Sequence, residues 1–294
     1  MALRLPRSAG LATPFSALAL AALLNAAPAL AVDSEALQAA VSARSDEDKQ
    51  RDSARHPLQT LTFFRVEPGM TVAEALPGGG WYTRILVPYL GSEGTLYGLN
   101  YVDRMWPMFG YGDDWVKARK ASTRDFAGQA KGYGAEGITA RGFTFGTVPP
   151  EAQGQVDRVL MIRALHNLFR FEDSAGTLSQ ALSATRALLK PDGLVGVVQH
   201  RAPESASDAS TNGSRGYLKQ SQVIAVFEAA GFTLVDQSEI NANPRDEIGE
   251  TEIVWRLPPS YSGTRDDPDK KAAVDAIGES DRMTLLFRKT GDPQ

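Results

Sequence analysis

The sequence predicts a doubly wound α/β fold, a parallel sheet with helices on both faces. Three observations support this prediction. Short apolar runs alternate along the chain with helix-like segments. A glycine-rich turn, PGGG at 77–80, follows the first apolar run of the sheet. No internal repeat or low-complexity tract interrupts the alternation.

Residues 1–31 differ in composition from the rest and are predicted to be a cleaved signal peptide. Arg4 and Arg7 precede an apolar stretch at 15–24, and Ala-Leu-Ala at 29–31 fits the small-x-small cleavage pattern. A membrane anchor is the alternative, but the stretch falls short of the ~20 residues that a span needs. We therefore expect bacterial export to the periplasm or secretion, with no membrane span after cleavage.

The charge of the chain limits its partners. The whole chain has 31 basic and 35 acidic residues, and two of the basic ones lie in the predicted signal peptide. The remaining 29 against 35 give a net charge of −6. An acidic chain lacks the basic surface that nucleic acid requires, so a small-molecule substrate is expected. The chain has no cysteine, and its stability must come from its core.

The residues before the sheet, 32–66, are predicted to form an N-terminal helical arm. Its first part, 33–55, is polar and helix-prone, with Asp33 or Ser34 as a suitable N-cap. A short helix follows within HPLQTLTFFRV. The main domain is predicted to cover 67–294.

The main domain is predicted to alternate strands and helices. Apolar runs predict strands at 71–76, 94–100, 137–146, 156–162, 194–200, 232–238 and 282–289. Helices are predicted at 81–90, 113–130, 172–190 and 217–231. Pro191-Asp192-Gly193 is interpreted as the stop signal of the third of these helices.

The segment 241–280 is rich in Pro, Asp and Gly and is too long for an ordinary connection. It follows the sixth strand, whose end lies at the carboxyl edge of the sheet. We therefore predict an inserted lid over that edge, which brings Asn241, Asn243 and Trp255 towards a ligand. A solvated surface loop is the alternative.

The glycine turn carries the main functional signal. The dinucleotide pattern G-x-G-x-x-G fails, because Thr83 stands where its third glycine belongs. An acid followed by glycine at +4 and +6 fits, supplied by Glu74, Gly78 and Gly80. This spacing resembles the first motif of class I S-adenosylmethionine-dependent methyltransferases. A tight turn that only needs small residues is the alternative.

Further segments resemble, in the same order, a family of exported bacterial predicted methyltransferases. They are RDSARHP at 51–57, PGGGWYT at 77–83, RALHN at 163–167, QHRA at 199–202, EAAGF at 228–232, INANP at 240–244 and IGESDRM at 277–283. The resemblance covers nearly the whole mature chain. It implies a seven-stranded Rossmann-like methyltransferase sheet with the last strand antiparallel, and S-adenosylmethionine as cofactor.

The resemblance also implies which residues bind the cofactor. They are Glu74, Gly78, Gly79, Gly80, Trp81 and Asn100. Two positions depart from the class I methyltransferase pattern: Leu76 replaces a usual glycine, and Asn100 replaces the acid that holds the ribose hydroxyls. Gln199 stands where the exported family often has a glutamate. Asparagine still accepts and donates hydrogen bonds, but it binds a diol less strongly than a carboxylate.

Polar residues follow the fourth and fifth predicted strands, where ligands bind in such sheets. His166 is the predicted general base, and Asn167 is predicted to position substrate or cofactor. A histidine satisfied by backbone is the alternative. His200 and Arg201 are predicted to bind an acidic group of the substrate, with an ion pair to an acid such as Glu204 as the alternative.

Other functions receive less support from the sequence. Three widely spaced histidines and no cysteine predict no metal site. The nucleophile-elbow pattern of serine hydrolases is missing. A non-catalytic periplasmic binding protein on a methyltransferase-like scaffold remains the main alternative, because S-adenosylmethionine is made in the cytoplasm. Thr83 disfavours a nicotinamide-dependent oxidoreductase.

Overall fold

The structure is a computed structural model that describes residues 33–134 and 137–291. The predicted signal peptide, 1–31, lies outside the described residues. The described residues form one compact unit. Among the described residues, no helix has the length and apolar character needed to cross a membrane.

A single twisted sheet organises the structure. Its strands are β1 (Thr71–Ala75), β2 (Thr95–Asn100), β3 (Thr139–Thr144), β4 (Val156–Ile162), β5 (Leu189–Ala202), β6 (Leu218–Lys219), β7 (Phe232–Ser238) and β8 (Arg282–Lys289). Seven of them are arranged in the order β3-β2-β1-β4-β5-β8-β7, and the two-residue β6 pairs with the end of β5. Strands β1 to β5 are parallel, whereas β8 runs antiparallel to both of its neighbours. The predicted fold class is confirmed.

Helices cover both faces of the sheet. They are α1 (Ser34–Ser42), α2 (Asp46–Lys49), α3 (Asp52–Arg55), α4 (Pro57–Phe63), α5 (Thr83–Leu90), α6 (Asp113–Lys131), α7 (Leu165–Arg170), α8 (Glu172–Ala175), α9 (Thr177–Leu188), α10 (Gln220–Ala229) and α11 (Pro268–Ile277). One core packs α1, α4 and α5 against the sheet. The other core packs α7, α9 and α10 against the opposite face. Burial on both faces explains the nearly continuous apolar runs of the central strands.

The N-terminal arm, α1 to α4, packs against the glycine turn and α5. Asp33 caps α1 by accepting a hydrogen bond from the backbone N–H of Ala36 at 3.0 Å, in agreement with its prediction as a cap. The indole N–H of Trp81 donates to the backbone carbonyl of Asp48 at 3.1 Å. The guanidinium groups of Arg44 and Arg55 each lie 4.8 Å from the centre of the Trp81 ring.

Several element boundaries differ from the predictions. The helix α9 ends at Leu188, and β5 begins at once and runs through Pro191-Asp192-Gly193, which is therefore not a helix stop. A helical turn over Asp103–Phe109 after β2 was not predicted. The predicted irregular segment 241–280 contains the regular helix α11. This helix begins with Pro268 directly after the N-cap Asp267, which is a usual signal for a helix start. The signal was missed because the high Pro and Asp content of the whole segment suggested a loop.

Candidate active site

A cavity of about 740 Å³ lies at the carboxyl edge of the parallel strands. This volume falls within the range of small-molecule sites. Residues at or just after the ends of β1, β2 and β4 line it, together with His200 near the end of β5 and the segment 253–262. The start of β8 reaches the same edge, because β8 is antiparallel and Arg282 pairs with His200 of β5. The topology thus collects side chains from distant segments around one space.

Two residues that line the cavity have an unusual backbone conformation. Leu76 follows β1 with a φ of 53°, and Arg163 follows β4 with a φ of 59°. This left-handed region costs a residue with a side chain about 1–2 kcal/mol. A glycine would adopt this φ without strain, so Leu76 occupies a backbone position that favours glycine. Strained backbone of this kind is common where a fold positions functional groups.

The glycine turn contributes one residue to the cavity wall. Gly78 has a φ of 59° and lines the cavity, so its bare backbone faces the enclosed space. Gly79 and Gly80 are not among the lining residues. A Cβ on Gly80 would lie 2.8 Å from the hydroxyl of Tyr133, which means that Gly80 is needed for packing.

Two other predicted cofactor residues support the turn from outside the cavity. Glu74 is buried and accepts a hydrogen bond from the hydroxyl of Thr83 at 2.6 Å, which ties β1 to α5. Burial raises the pKa of Glu74 to about 7, and the hydrogen bonds from Thr83 oppose the rise. Trp81 is enclosed by the arm. Neither side chain lines the cavity.

Asn100 lines the cavity at the end of β2, as predicted. Its amide nitrogen donates to the hydroxyl of Thr123 at 2.9 Å. The amide oxygen has no partner among the described residues and is left to accept a hydrogen bond. One acceptor is available here, where a carboxylate would offer two oxygens.

The side-chain amide of Gln199 fixes the protonation of His166. Its nitrogen donates to the backbone carbonyl of Gly216 at 2.8 Å, and a carbonyl can only accept. The amide oxygen therefore lies towards His166, 3.3 Å from ring Nδ1 and from the backbone nitrogen. Nδ1 must carry the proton, and Nε2 keeps an unshared electron pair. No described residue hydrogen-bonds to Nε2, and His166 lines the cavity.

Burial keeps His166 neutral. It lowers the pKa of His166 to about 4, and the hydrogen bond with Gln199 opposes the decrease. His200 lies close by, with ring centres 5.6 Å apart. Its Nδ1 lies 2.6 Å from the hydroxyl oxygen of Ser280. Burial and then the neighbouring His166 hold the pKa of His200 well below its ordinary value.

Three buried polar atoms on the cavity residues lack a partner among the described residues. They are Oδ1 of Asn167, Nε1 of Trp106 and Nε of Arg119. Buried polar atoms are rarely left unsatisfied, so these atoms indicate hydrogen bonds to a ligand or to water. Two are donors and one is an acceptor. Around them stand aromatic rings, including Trp115 and Trp255.

Three predicted substrate residues lie elsewhere. Arg201 forms ion pairs with Glu239 at 2.7 Å and Asp281 at 2.8 Å, rather than with Glu204. The buried amide nitrogen of Asn241 donates to Thr60 and Thr284, both at 3.0 Å. The side chain of Asn243 donates to the backbone carbonyls of Ile277 and Glu279. None of the three lines the cavity.

A cluster of arginines, which the sequence did not indicate, borders the cavity at Arg163 and Glu279. Arg163 lines the cavity, and its guanidinium makes no hydrogen bond or ion pair with a described residue. Glu279 lies beside it and is engaged by Arg51 at 2.6 Å, Arg55 at 3.2 Å and Arg282 at 3.0 Å. We call Arg51, Arg55, Arg163 and Arg282 the arginine cluster. Arg163 is the first residue of the RALHN segment at 163–167. That motif was the one sequence feature that could have indicated Arg163 as a site residue.

Neither a family model nor a curated protein sequence matches the chain. Among solved structures, it is similar to the [4+2]-cyclase SpnF, with 14% identity over 81% of each chain and a TM-score of 0.48. It is also similar to a SAM-dependent methyltransferase from Aquifex aeolicus, with 16% identity over 67% of this chain and 94% of the other, at a TM-score of 0.45. A third is the 1,6-didemethyltoxoflavin-N1-methyltransferase of Burkholderia thailandensis, with 15% identity, coverage of 84% and 82%, and a TM-score of 0.46.

Proposed function

We propose that the protein is an S-adenosylmethionine-dependent methyltransferase that acts on a small molecule. The observation that carries the proposal is the cavity itself, which brings Gly78, Asn100 and His166 to one edge of a sheet of this strand order. Ligands of open α/β sheets bind at such an edge. A binding protein without catalysis would not require the unshared electron pair that His166 presents to the cavity.

The cavity fits the proposed cofactor. The bare backbone at Gly78 allows close approach of a ligand, because no Cβ occupies that space. The free amide oxygen of Asn100 suits a ribose hydroxyl. The unpartnered atoms of Trp106 and Asn167 offer a donor and an acceptor, as a purine ring requires. When bound, S-adenosylmethionine would supply a methyl group attached to a sulfonium sulfur. The sulfur would leave as a neutral thioether when the methyl group is transferred.

His166 has the role of general base in this proposal. For an acceptor with a hydroxyl group, Nε2 accepts the hydroxyl proton while the oxygen forms its bond to the methyl carbon. The proton then resides on the imidazole, whose Nδ1–H is still held by Gln199. Asn167 stands on the next position of α7 and orients the acceptor. The ring of Trp255, 5.7 Å from that of His166 between centres, would shield this side of the base from water.

Calorimetric titration with S-adenosylmethionine and S-adenosylhomocysteine tests the proposal. Saturable binding of both is expected. Gly78→Ala should weaken binding at least about tenfold, because it adds a methyl group to a residue of the lining, and an extra methyl group in a packed site costs about 1–3 kcal/mol. Gly69→Ala is the matched control, since its φ of 76° is also left-handed, a Cβ there meets no atom within 4 Å and the residue lies outside the lining. No binding by the unaltered protein would refute the proposal.

We also propose that the protein is exported, with cleavage after Ala31. The short apolar stretch and the Ala-Leu-Ala pattern support this proposal. Protein recovered from the periplasm of an expressing bacterium should begin at Val32, as read by N-terminal sequencing. Recovery of the intact precursor in the membrane fraction would support the anchor instead.

A further inference from the structure

The cavity has an excess of positive charge that no described residue neutralises. The lining includes Arg119, Arg163 and Arg170, with Glu279 as the one acid among the described lining residues. That carboxylate is already shared by three other arginines. Burial raises the pKa of Glu279, but the positive charges of these arginines outweigh it and lower the pKa to about 2. The carboxylate thus forms ion pairs with three other arginines and attracts Arg163 only through space.

Arg163 lacks the interactions that usually accompany a guanidinium away from water. It is half-buried, beside Arg55 and Arg282, and makes no hydrogen bond or ion pair with a described residue. Burial first and then repulsion from these two arginines lower the pKa of Arg163 to about 9, so it is still a cation at neutral pH. A buried charge is costly unless it is paired. The strained φ of 59° shows that the fold positions this residue at the cavity wall.

The proposed cofactor does not balance this charge. S-adenosylmethionine carries a sulfonium, an ammonium and a carboxylate, which is a net charge of +1. Its carboxylate can neutralise at most one guanidinium, and its two cations add to the repulsion. A negative charge on the second ligand, the methyl acceptor, would balance the charge that the cofactor leaves.

We propose that the methyl acceptor is an anion whose carboxylate or phosphate group is bound by Arg163. Calling this ligand the methyl acceptor rests on the proposed methyl transfer. The anion-binding site at Arg163 does not depend on that proposal. A planar guanidinium binds either oxyanion through two parallel hydrogen bonds. His166 and Trp255 stand on the same wall, 5.7 Å apart between ring centres, and leave an apolar and aromatic surface for the rest of the acceptor.

Binding of simple anions to the whole protein tests this inference. Benzoate and inorganic phosphate serve as probes, with uncharged benzamide as the matched neutral compound. Trp106, Trp115 and Trp255 line the cavity, so their fluorescence reports binding. We expect saturable quenching by benzoate or phosphate and at least about tenfold weaker binding of benzamide, as for the loss of a charge-assisted hydrogen bond. The preferred probe distinguishes a carboxylate acceptor from a phosphate acceptor.

Substitution of Arg163 assigns the effect to one side chain. Arg163→Met should weaken anion binding at least about tenfold, while Arg163→Lys should weaken it less, because lysine keeps the charge but not the two parallel hydrogen bonds. Arg141→Met is the control, because Arg141 is exposed on β3 and lies outside the lining. The affinity of Arg163→Met for S-adenosylhomocysteine should stay within about threefold of the unaltered protein, a difference under 1 kcal/mol.

Three results would overturn the inference. They are equal binding of benzamide and benzoate by the unaltered protein, unchanged anion binding by Arg163→Met, and parallel loss of S-adenosylhomocysteine and anion binding. The last would assign Arg163 to the cofactor's own carboxylate. If Arg163→Met does not fold, the comparison of benzoate with benzamide and the Lys variant still decide. Anion binding through Arg163 without S-adenosylhomocysteine binding would refute the proposed methyl transfer alone.

Discussion

Gln199 and His166 hold each other in a single orientation, with the amide oxygen 3.3 Å from ring Nδ1. The backbone carbonyls of Gly216 and His200 accept hydrogen bonds from the amide nitrogen of Gln199, so the amide cannot flip without losing them. The neutral amide therefore selects the tautomer of His166 without stabilising its charged form as a carboxylate would. A general base in this setting is available at all pH values above its low pKa.

Gln199→Glu should raise the pKa of His166. A carboxylate favours the imidazolium form, so the pKa of His166 is expected to move from about 4 to near neutrality or above. Proton NMR of the histidine ring signals measures the titration, and His166→Gln identifies which signal disappears. The carboxylate also faces the carbonyl of Gly216 without a donor, so a loss of about 1–3 kcal/mol in unfolding free energy is expected. An unaltered titration would contradict the assigned hydrogen bond.

Stability should fall as the pH is lowered from about 6.5 to 4. Burial lowers the pKa of His166 to about 4 in the folded protein, so the unfolded chain binds its proton first. This histidine therefore contributes stability above pH 6.5 that is lost as the pH falls towards the folded value, up to about 3 kcal/mol. The depressed pKa of His200 acts in the same direction. Urea unfolding at pH 7.5 and pH 5 measures the difference. His166→Gln should reduce it, and an identical pH dependence in that variant would count against the prediction.

The left-handed φ of Leu76 gives a test of backbone strain. At an ordinary position glycine is less stable than alanine by about 0.5–1 kcal/mol. At a φ of 53° the order should reverse, and Leu76→Gly should be more stable than Leu76→Ala by about 1 kcal/mol. Both variants lose the same leucine side chain, so their difference isolates the backbone. Urea unfolding of the pair decides, and the ordinary order would mean that Leu76 is unstrained.

A lid over the cavity remains a prediction for the segment 241–280. The part from Ile253 to Ser262 lines the cavity and includes Trp255. If ligand holds the lid shut, S-adenosylhomocysteine should slow tryptic cleavage after the exposed Arg265, because the open population falls. Cleavage after the exposed Lys131, at the end of α6, is the internal control. Equal cleavage at Arg265 with and without ligand would leave an ordinary surface loop.

Much of the fold was predictable because its information is local. The apolar runs at 156–162, 232–238 and 282–289 match β4, β7 and β8 to the residue. The polar residues after β4 and β5 were expected to share one cleft, and His166 and His200 do lie side by side. Parallel neighbouring strands end at one edge, so sequence position alone determines this proximity.

The parts that escaped prediction depend on packing between distant segments. Trp81 stands in the glycine turn and was expected to face a ligand, but the arm residues Arg44 and Arg55 enclose it. Asn241 follows the sixth predicted strand, yet its partners are Thr60 and Thr284. The free guanidinium of Arg163 could not be inferred either, because the lack of a partner is a property of all its neighbours together.

The contact between Arg51 and Glu279 has a consequence for the order in which the chain folds. These residues are 228 positions apart, and they join the arm to the segment just before β8, where Glu279 lines the cavity. A ribosome has to release nearly the entire polypeptide before this contact can form, and contacts of such long range are made late and slowly. A nascent chain would therefore form the first strands of the sheet well before it forms a binding site. A truncation near the C-terminus that removes Glu279 should leave a protein that neither binds ligand nor catalyses a reaction.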